Sequence, residues 1–473
     1  MKAADKKQFK TSRGERVSYW SYLVGQNFAY TMVATYLGTY MMMIGVDLSK
    51  IATVMLIVKV WDAINDTIFG LIFDKVKFKS GNKCIPWLRI SSALIPLATI
   101  LIYVIPADAS QALKLTWFTI AYLLWDTVYT LSDVPIYSMI TTMTSNLNER
   151  NFIMSFGRIF GLCSGIVISM AISLMVSEKV GLSFGWVCFI VSMIAMAMML
   201  PICFKGKERG KPDQEEESYS IGKMFHYLKT NKYLLLMFGS YILLNALTTT
   251  NSLSLFVSYY LFGSATFNTI LIGMAIIPMI VMALLLPSIL KYVDKFVLYF
   301  WCLVANAVIG FVIYFVGYSN AVVYMVLRLL QVFPVTIFTL LAFMFTPDCA
   351  EYGRYTSGID ARGITFAIQT FSTKVAAAIA SSAGIAILGL FGWVTINAGS
   401  FAEIQALNIV QPAQAIEGLW FTYTLVPAIG SALGIIPLLF YKLRDKDVKV
   451  MAQFNSGEIT RQEAEHLLAG RKA

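Results

Sequence analysis

Charge is scarce in this chain. Only 14% of its 473 residues are Asp, Glu, Lys or Arg, while 58% are hydrophobic. Soluble domains carry about 25% charged residues, so a protein of this size cannot face water on all sides with so few. The surplus apolar side chains must face lipid. Backbone groups in lipid have to be bonded internally, which leaves helix bundles or closed barrels. The apolar runs here are long and uninterrupted instead of short and alternating, and that pattern selects helices. Histidine is nearly absent too: His226 and His466 are the only two, and both fall in polar segments. That excludes a histidine-based metal centre inside the membrane and any Ser–His–Asp set. The sequence also lacks a phosphate-binding glycine loop ending in Gly-Lys-Ser/Thr and an HExxH pair, so a membrane enzyme is not expected. The six cysteines form no CxxC pair and lie mostly in apolar runs, as free thiols acting as small hydrophobes.

The net charge of +10 does not point to nucleic acid, because Lys and Arg gather in the tails and in particular loops. The first apolar run is too long for a signal peptide and no small-residue cleavage site follows, so it reads as a retained span. Charge and turn signals mark twelve runs, at 19–45, 51–73, 86–106, 115–140, 153–176, 182–204, 233–261, 267–290, 297–317, 321–346, 363–392 and 416–441. The polar stretch 205–231 divides them six and six, and Ile221 to Leu228 within it reads as a short interfacial amphipathic helix. The expected domains are 1–204, a linker at 205–231, 232–442, and a tail at 443–473 with helical pattern near Ile459 to Leu468.

Positive charge fixes the expected orientation. The N-terminal tail holds Lys2, Lys6, Lys7, Lys10, Arg13 and Arg16, and the loop after the second run holds Lys75, Lys77, Lys79 and Lys83. Loops of the other side hold only Lys50, Lys114 and Lys179, and 393–415 has no Lys or Arg. Both termini are therefore expected in the cytoplasm of a multi-pass cell-membrane (inner-membrane) protein. An all-α membrane protein with twelve transmembrane helices in two six-helix halves matches the major facilitator plan, with a monomer as its default state. Gly157, Gly161 and Gly165 recur every four residues, a spacing that lets helices pack closely.

Charges inside spans cost about 2.5–3.5 kcal/mol each on insertion scales. Those singled out are Lys59, Asp62 and Asp66 in the second run, Asp126 and Asp133 in the fourth, Arg158 in the fifth and Lys374 in the eleventh; all but Lys374 lie in the first half. Asp62 and Asp66 are four apart and stack on one helical face. In a low-dielectric cavity two such carboxylates need a proton on one or a cation between them. Asp133, with Thr130 on the same face, adds oxygen ligands of the kind a hard cation prefers. The plain alternative is that Lys59 neutralises Asp62 one turn away. A sugar would need directional donors and a flat apolar surface. Arg158 offers a planar fork, Asp133 an acceptor, Tyr137 a ring one turn further on, and Asn27 an amide on an otherwise apolar helix; Gln369, Thr370 and Lys374 supply polar groups in the second half.

The runs KVWDAINDTIFGLIFDK (59–75), YTLSDVPIYSM (129–139), ERNFIMSFGR (149–158) and DCAEYGRYTSGIDARGITFAIQTFSTK (348–374) resemble the glycoside–pentoside–hexuronide:cation symporters, the melibiose permease-like family of the major facilitator superfamily. The similarity runs over nearly the whole chain in matching order. It implies a cation site of Asp62, Asn65, Asp66, Thr130 and Asp133, with Asp133 touching sugar as well. It implies sugar contacts at Arg158, Tyr137 (a tryptophan in the type member), Gln369, Thr370 and Lys374. It also implies cytoplasmic gate charges at Glu149, Arg150, Asp348, Glu351 and Arg362. Two features depart from the family pattern. Gln26 and Asn27 stand where the type member has a lysine and a sugar-binding aspartate, so here amides would meet sugar hydroxyls. Asp126, two turns before Asp133, falls where the type member is uncharged, and would reshape the sugar pocket or bring another proton site. The implied activity is symport of a small sugar or glycoside with Na+ or H+ by alternating access, with no cofactor beyond the coupling ion, no metal beyond Na+ and no nucleic-acid partner. Another cargo on the same fold, a lysolipid or an exported drug, is the alternative.

Overall fold

A computed structural model describes residues 10–76, 78–209, 227, 229, 231–358 and 362–469, with backbone alone at 60, 63, 64 and 66–75. Among the described residues all regular structure is helical, apart from an isolated antiparallel bridge between Ile44 and Asn397. The first apolar run forms α1 (Arg13–Thr31), a π-helical turn (Met32–Tyr36) and α2 (Leu37–Met41). Then come α3 (Leu48–Lys75), α4 (Ile85–Tyr103), α5 (Gln111–Met143), α6 (Leu147–Val176) and α7 (Phe184–Lys205). After the linker follow α8 (Lys232–Ala246), α9 (Thr250–Phe262), α10 (Thr266–Ile289), α11 (Lys295–Val316), α12 (Ala321–Ala342), α13 (Phe345–Ser357) and α14 (Arg362–Gly389). The chain ends in α15 (Phe401–Ala406), α16 (Ala413–Trp420), a second π-helical turn (Phe421–Leu425), α17 (Val426–Leu438), α18 (Asp445–Ser456) and α19 (Arg461–Ala469).

The helix starts follow from single polar residues set just before apolar runs. Ser110, Asn146, Ser183, Asn231, Asp294 and Asn320 each accept a backbone N–H of the first turn they precede, supplying the acceptor that a helix end lacks. Nine helical stretches among the described residues are long and apolar enough to cross a membrane. The helices α1, α3 and α5 carry Gln26 and Asn27, Asp62 and Asp66, and Asp126 and Asp133, polar residues of the kind that are costly inside a span.

The chain divides into two compact units. The first comprises Met1–Glu215 with Ser258–Ile272 and Trp393–Gln411; the second comprises Glu216–Val257, Gly273–Gly392 and Pro412–Ala473. In the first, α1 packs on α6 and α7, α4 on α5 and α7, and α3 on α5. The glycine stripe of α6 faces α1: a Cβ at Gly157 would lie 2.8 Å from Leu23, and one at Gly161 3.1 Å from the Asn27 amide. The segment 393–411 lies against the ends of α2 and α7 through backbone bonds, Gly45 N–H to Ile396 O at 2.7 Å, Ala398 N–H to Met43 O at 2.9 Å and Phe184 N–H to Gly399 O at 2.8 Å. Gly45 has φ +71° and a Cβ there would sit 3.0 Å from Asn397, so glycine alone fits this crossing comfortably. In the second unit α8 packs on α14 and α17, α11 on α12 and α17, and α18 on α13.

The start of the linker is tied to the first unit. The Glu208 carboxylate accepts from Lys83, Cys84 and Ile85 N–H at 2.7–3.0 Å, capping α4. Arg209 donates two bonds to Glu15, at 2.7 and 2.8 Å. The short helix anticipated at Ile221 to Leu228 lies outside the described residues, apart from Tyr227. Burial alone would raise the Glu15 carboxyl, but the Arg209 hydrogen bond and charge outweigh it and hold the group below its ordinary value of 4.5. A depressed carboxyl stabilises the fold above its unfolded pKa and loses that contribution as pH falls through the folded value. Arg209→Ala is therefore expected to unfold at a lower temperature than wild type at neutral pH, with the gap closing as pH drops below 4.5; thermal unfolding across that range checks it.

Candidate functional site

The packing of α3 on α5 places three polar groups together inside the first unit. Asp126 and Thr130 are one turn apart on α5, so both face α3. Asn65 of α3 donates from Nδ2 to Asp126 Oδ2 at 3.1 Å and to Thr130 Oγ1 at 3.0 Å. Thr130 Oγ1 in turn donates to the Asp126 backbone oxygen at 3.0 Å. The three residues are 3%, 5% and 5% exposed, so the cluster is closed to anything as large as a sugar ring. Asp62 and Asp126 both act electrostatically on the Tyr122 hydroxyl, one turn before Asp126. That hydroxyl is fully buried and has no hydrogen-bond partner among the described residues. Lys59 Nζ sits 5.2 Å from the centre of the Tyr122 ring, a cation–π contact. The Asp66 side chain lies outside the described residues.

Asp133, next along α5, is engaged elsewhere. Gln26 Nε2 of α1 donates to Asp133 Oδ1 at 2.5 Å. The neighbouring amide, Asn27, points instead at Gly161 and Gly165 of α6. The pair that stands where the type member has two charges thus serves two helices, and Gln26 acts on a carboxylate. Tyr137 is 61% exposed, and the charges of Asp133 and Arg158 both bear on its hydroxyl. Beside them runs an aromatic stripe that the residue pattern carried unnoticed. Phe118, Tyr122, Trp125 and Tyr129 follow at helical spacing with centroids 5.8, 5.9 and 4.9 Å apart, and Tyr30 of α1 continues it at 5.6 Å from Tyr129.

The other candidates belong to the second unit. Gln369 on α14 accepts from Thr346 Oγ1 at 2.5 Å. Thr370 is exposed and bonds back to Phe366 O at 3.3 Å. Lys374 is partly buried on the same helix. Arg89 and Arg328 are intrahelical charges that the spacing of the acidic residues does not single out. Arg89 on α4 donates to Cys203 O at 3.0 and 3.2 Å. Arg328 lies inside α12, donating to Gln331 Oε1 at 2.7 Å with its guanidinium 5.5 Å from the Tyr423 ring. Gln331 passes the chain on to Asn306 and Ser431 at 2.9 and 2.8 Å. Charge inside spans is therefore not confined to the first half plus Lys374. The signal was a lone Arg in the run VVYMVLRLLQVF.

The gate candidates also find partners within their own units. Glu149, 1% exposed, accepts from Lys10 N–H at 3.1 Å, Thr11 N–H at 3.0 Å, Thr144 Oγ1 at 2.7 Å and the Thr11 hydroxyl. Arg150 donates to Thr144 O at 2.7 Å and Thr141 O at 2.9 Å. Asp348 pairs with Lys295, which also reaches Asp445 at 3.3 Å. Glu351 pairs with Arg362 at 2.9 Å and accepts from Asn455 of α18 at 2.7 Å.

Comparison with known proteins agrees with this architecture. A family model described as "MFS/sugar transport protein" matches residues 18–445. The isoprimeverose transporter of Lactiplantibacillus pentosus is 25% identical over 460 residues, covering 93% of this chain and 90% of its own. A glucuronide carrier protein homolog of Escherichia coli (strain K12) is 25% identical, covering 90% and 92%. Among solved structures, the nucleoside transporter NupG superimposes with a TM-score of 0.64 at 13% identity over 91% of this chain and all of NupG; at that identity the likeness concerns the fold, which is the major facilitator fold.

Proposed function

Because the chain belongs to the MFS/sugar transport protein family, we propose that it is a secondary transporter that moves a small sugar or glycoside together with Na+ or H+ by alternating access. The observation that carries this reading is the set of buried polar groups on α3 and α5, Asn65, Asp126 and Thr130, on the same helix as Asp133, whose charge, like that of Arg158, bears on the exposed Tyr137. An ion needs the first kind of environment and a sugar the second. Asp133 links them, since it lies one turn from Thr130 and one turn from Tyr137 on the same helix. The cation enters first, its charge lets Asp133 settle against the sugar, and each ligand raises the affinity for the other by linkage. A membrane potential adds about 2.3 kcal/mol per charge per 100 mV. The relatives named for isoprimeverose and glucuronide support a sugar or glycoside as cargo. In this reading the chain spans the cell membrane twelve times with both ends in the cytoplasm, and it is not an enzyme.

Purified protein in liposomes tests it. Isoprimeverose, lactose and a phenyl glucuronide are offered with an inward Na+ gradient, an inward proton gradient, or neither. At least one sugar is expected to accumulate above its external concentration under one gradient and to equilibrate without it. Accumulation of none under either gradient overturns the proposal.

A further inference from the structure

We propose that residues 393–411, together with the turn between α9 and α10, form a latch on the side of the membrane away from the termini, and that this latch comes off α2, α6 and α7 in every transport cycle. The proposal rests on the symport reading and adds to it a device built from the course of the chain. The strap 393–411 and the stretch 258–272 pack into the first unit, yet each continues in sequence into helices of the second. The strap joins α14 to α16, and 258–272 holds the end of α9 and the start of α10. Alternating access moves one half of a transporter against the other. A segment bonded covalently to one half and packed in the other cannot keep both ties through that motion, and only the packing can break. The absence of Lys and Arg from 393–415 assigns the strap to the side opposite the termini.

The strap is made to come away as one piece. Gln411 accepts from Val394 N–H at 2.8 Å and donates to Val394 O at 3.0 Å, which pinches its two ends together. Within it Ser400 caps α15, and Glu403 accepts from Gly399 N–H at 2.6 Å. Tyr260 of α9 donates to Ile409 O at 3.1 Å and its ring meets Trp393 edge-on at 5.6 Å, while the Tyr259 ring lies 5.3 Å from Phe401. The strap and the α9–α10 turn therefore travel together. Single hydrogen bonds fasten this piece to the ends of α2, α6 and α7. Gly45 and Phe184 N–H donate to Ile396 and Gly399 O at 2.7 and 2.8 Å, and Ala398 N–H donates to Met43 O at 2.9 Å. Glu178, just beyond α6, accepts from Ala265 N–H at 3.0 Å and from the Ser264 hydroxyl, and Asn268 donates to Ser173 Oγ at 3.1 Å. Bonds of this kind are exchanged for bonds to water at small net cost, as a seam that opens repeatedly requires.

Hydrogen exchange on the purified full-length protein reads the latch without any sugar. Peptides covering 43–47, 184–187, 264–268 and 396–400 are expected to exchange at one common opening rate, well before the middle of α11. Glu178→Ala removes a charged acceptor and is expected to raise that common rate about tenfold, with α11 unchanged. Ser183→Cys with Gly399→Cys locks the strap to α7, since a Cβ at Gly399 would lie 3.0 Å from that of Ser183, a small shift from disulfide geometry. Oxidised, the pair is expected to lose at least about tenfold of the gradient-driven sugar uptake and to recover it on reduction, with wild type under the same oxidant controlling for the six native cysteines. Should the pair fold poorly, the exchange rates decide alone. Independent rates in the four segments, protection that lasts until global unfolding, or full uptake by the oxidised pair overturns the latch, and leaves symport standing if wild type still concentrates sugar. A wild type that opens in concert but concentrates no sugar on either gradient removes the symport reading and keeps the latch.

Discussion

Asp133→Ala is expected to cut gradient-driven sugar accumulation at least about 100-fold, and Gln26→Ala to raise the half-saturating sugar concentration about tenfold with the driven component retained. The two figures come from different losses. A hydrogen bond to a charged group is worth about 1.5–3 kcal/mol, and each 1.4 kcal/mol is about tenfold in affinity. Gln26 gives Asp133 one such bond, at 2.5 Å, and its removal frees a rotamer without removing the charge. Asp133 lies one turn from both Thr130 and Tyr137 on α5, so in the proposed mechanism its loss strips a contact from both ligands. Initial rates in liposomes, at low and at saturating sugar, separate the cases. A Gln26→Ala protein as inactive as Asp133→Ala would mean that the amide itself binds substrate. An Asp133→Ala protein that still concentrates sugar would remove the acid from the mechanism.

Much of this was legible in the residues, for a physical reason that also sets the limit. Membrane helices write themselves as apolar runs with one polar cap, so each marked run overlaps a helix, with α5 extending to Gln111–Met143 beyond the expected 115–140, and nine helical stretches among the described residues are long and apolar enough to cross a membrane. Intramembrane charge is costly enough that Asp126 and Asp133 stood out unaided. Partner choice was not legible. Gln26 and Asn27 are neighbours in sequence, but a helix turns about 100° between them, so one meets α5 and the other α6. Asp126 lies on the same face as Asp133, and the pattern alone left it open between the sugar pocket and a further proton site; its bond from Asn65 of α3 carries no signature in the spacing. The strap at 393–411 is held to Met43 and Gly45 by backbone groups, which carry no side-chain signature. Arg328 was visible as a residue yet easily passed over, because its partners Gln331 and Tyr423 lie about one turn away and on a distant helix.

Glu149 offers the sharpest separation of a structural from a gating role. The family resemblance makes it a charge that closes the cytoplasmic side, yet its carboxylate is held by four donors, two of them backbone N–H groups of Lys10 and Thr11, just before Ser12 caps α1. Arg16 stands 3.8 Å away. Removing one partner of a buried charged cluster costs about 3–5 kcal/mol, because the remaining groups stay buried without an acceptor. Glu149→Ala is thus expected to lower stability by that order and to expose Lys10, Arg13 and Arg16 to trypsin, while Glu149→Gln, which keeps one acceptor, loses less. Thermal unfolding in detergent and limited proteolysis of the N-terminal segment read both. Were Glu149→Ala as stable and as protease-resistant as wild type but leaky to sugar in the absence of a gradient, the carboxylate would be acting as a gate charge, and the four donors would be incidental to the fold. The anchoring role predicts the reverse order: a loosened N-terminal segment first, and altered transport only through it.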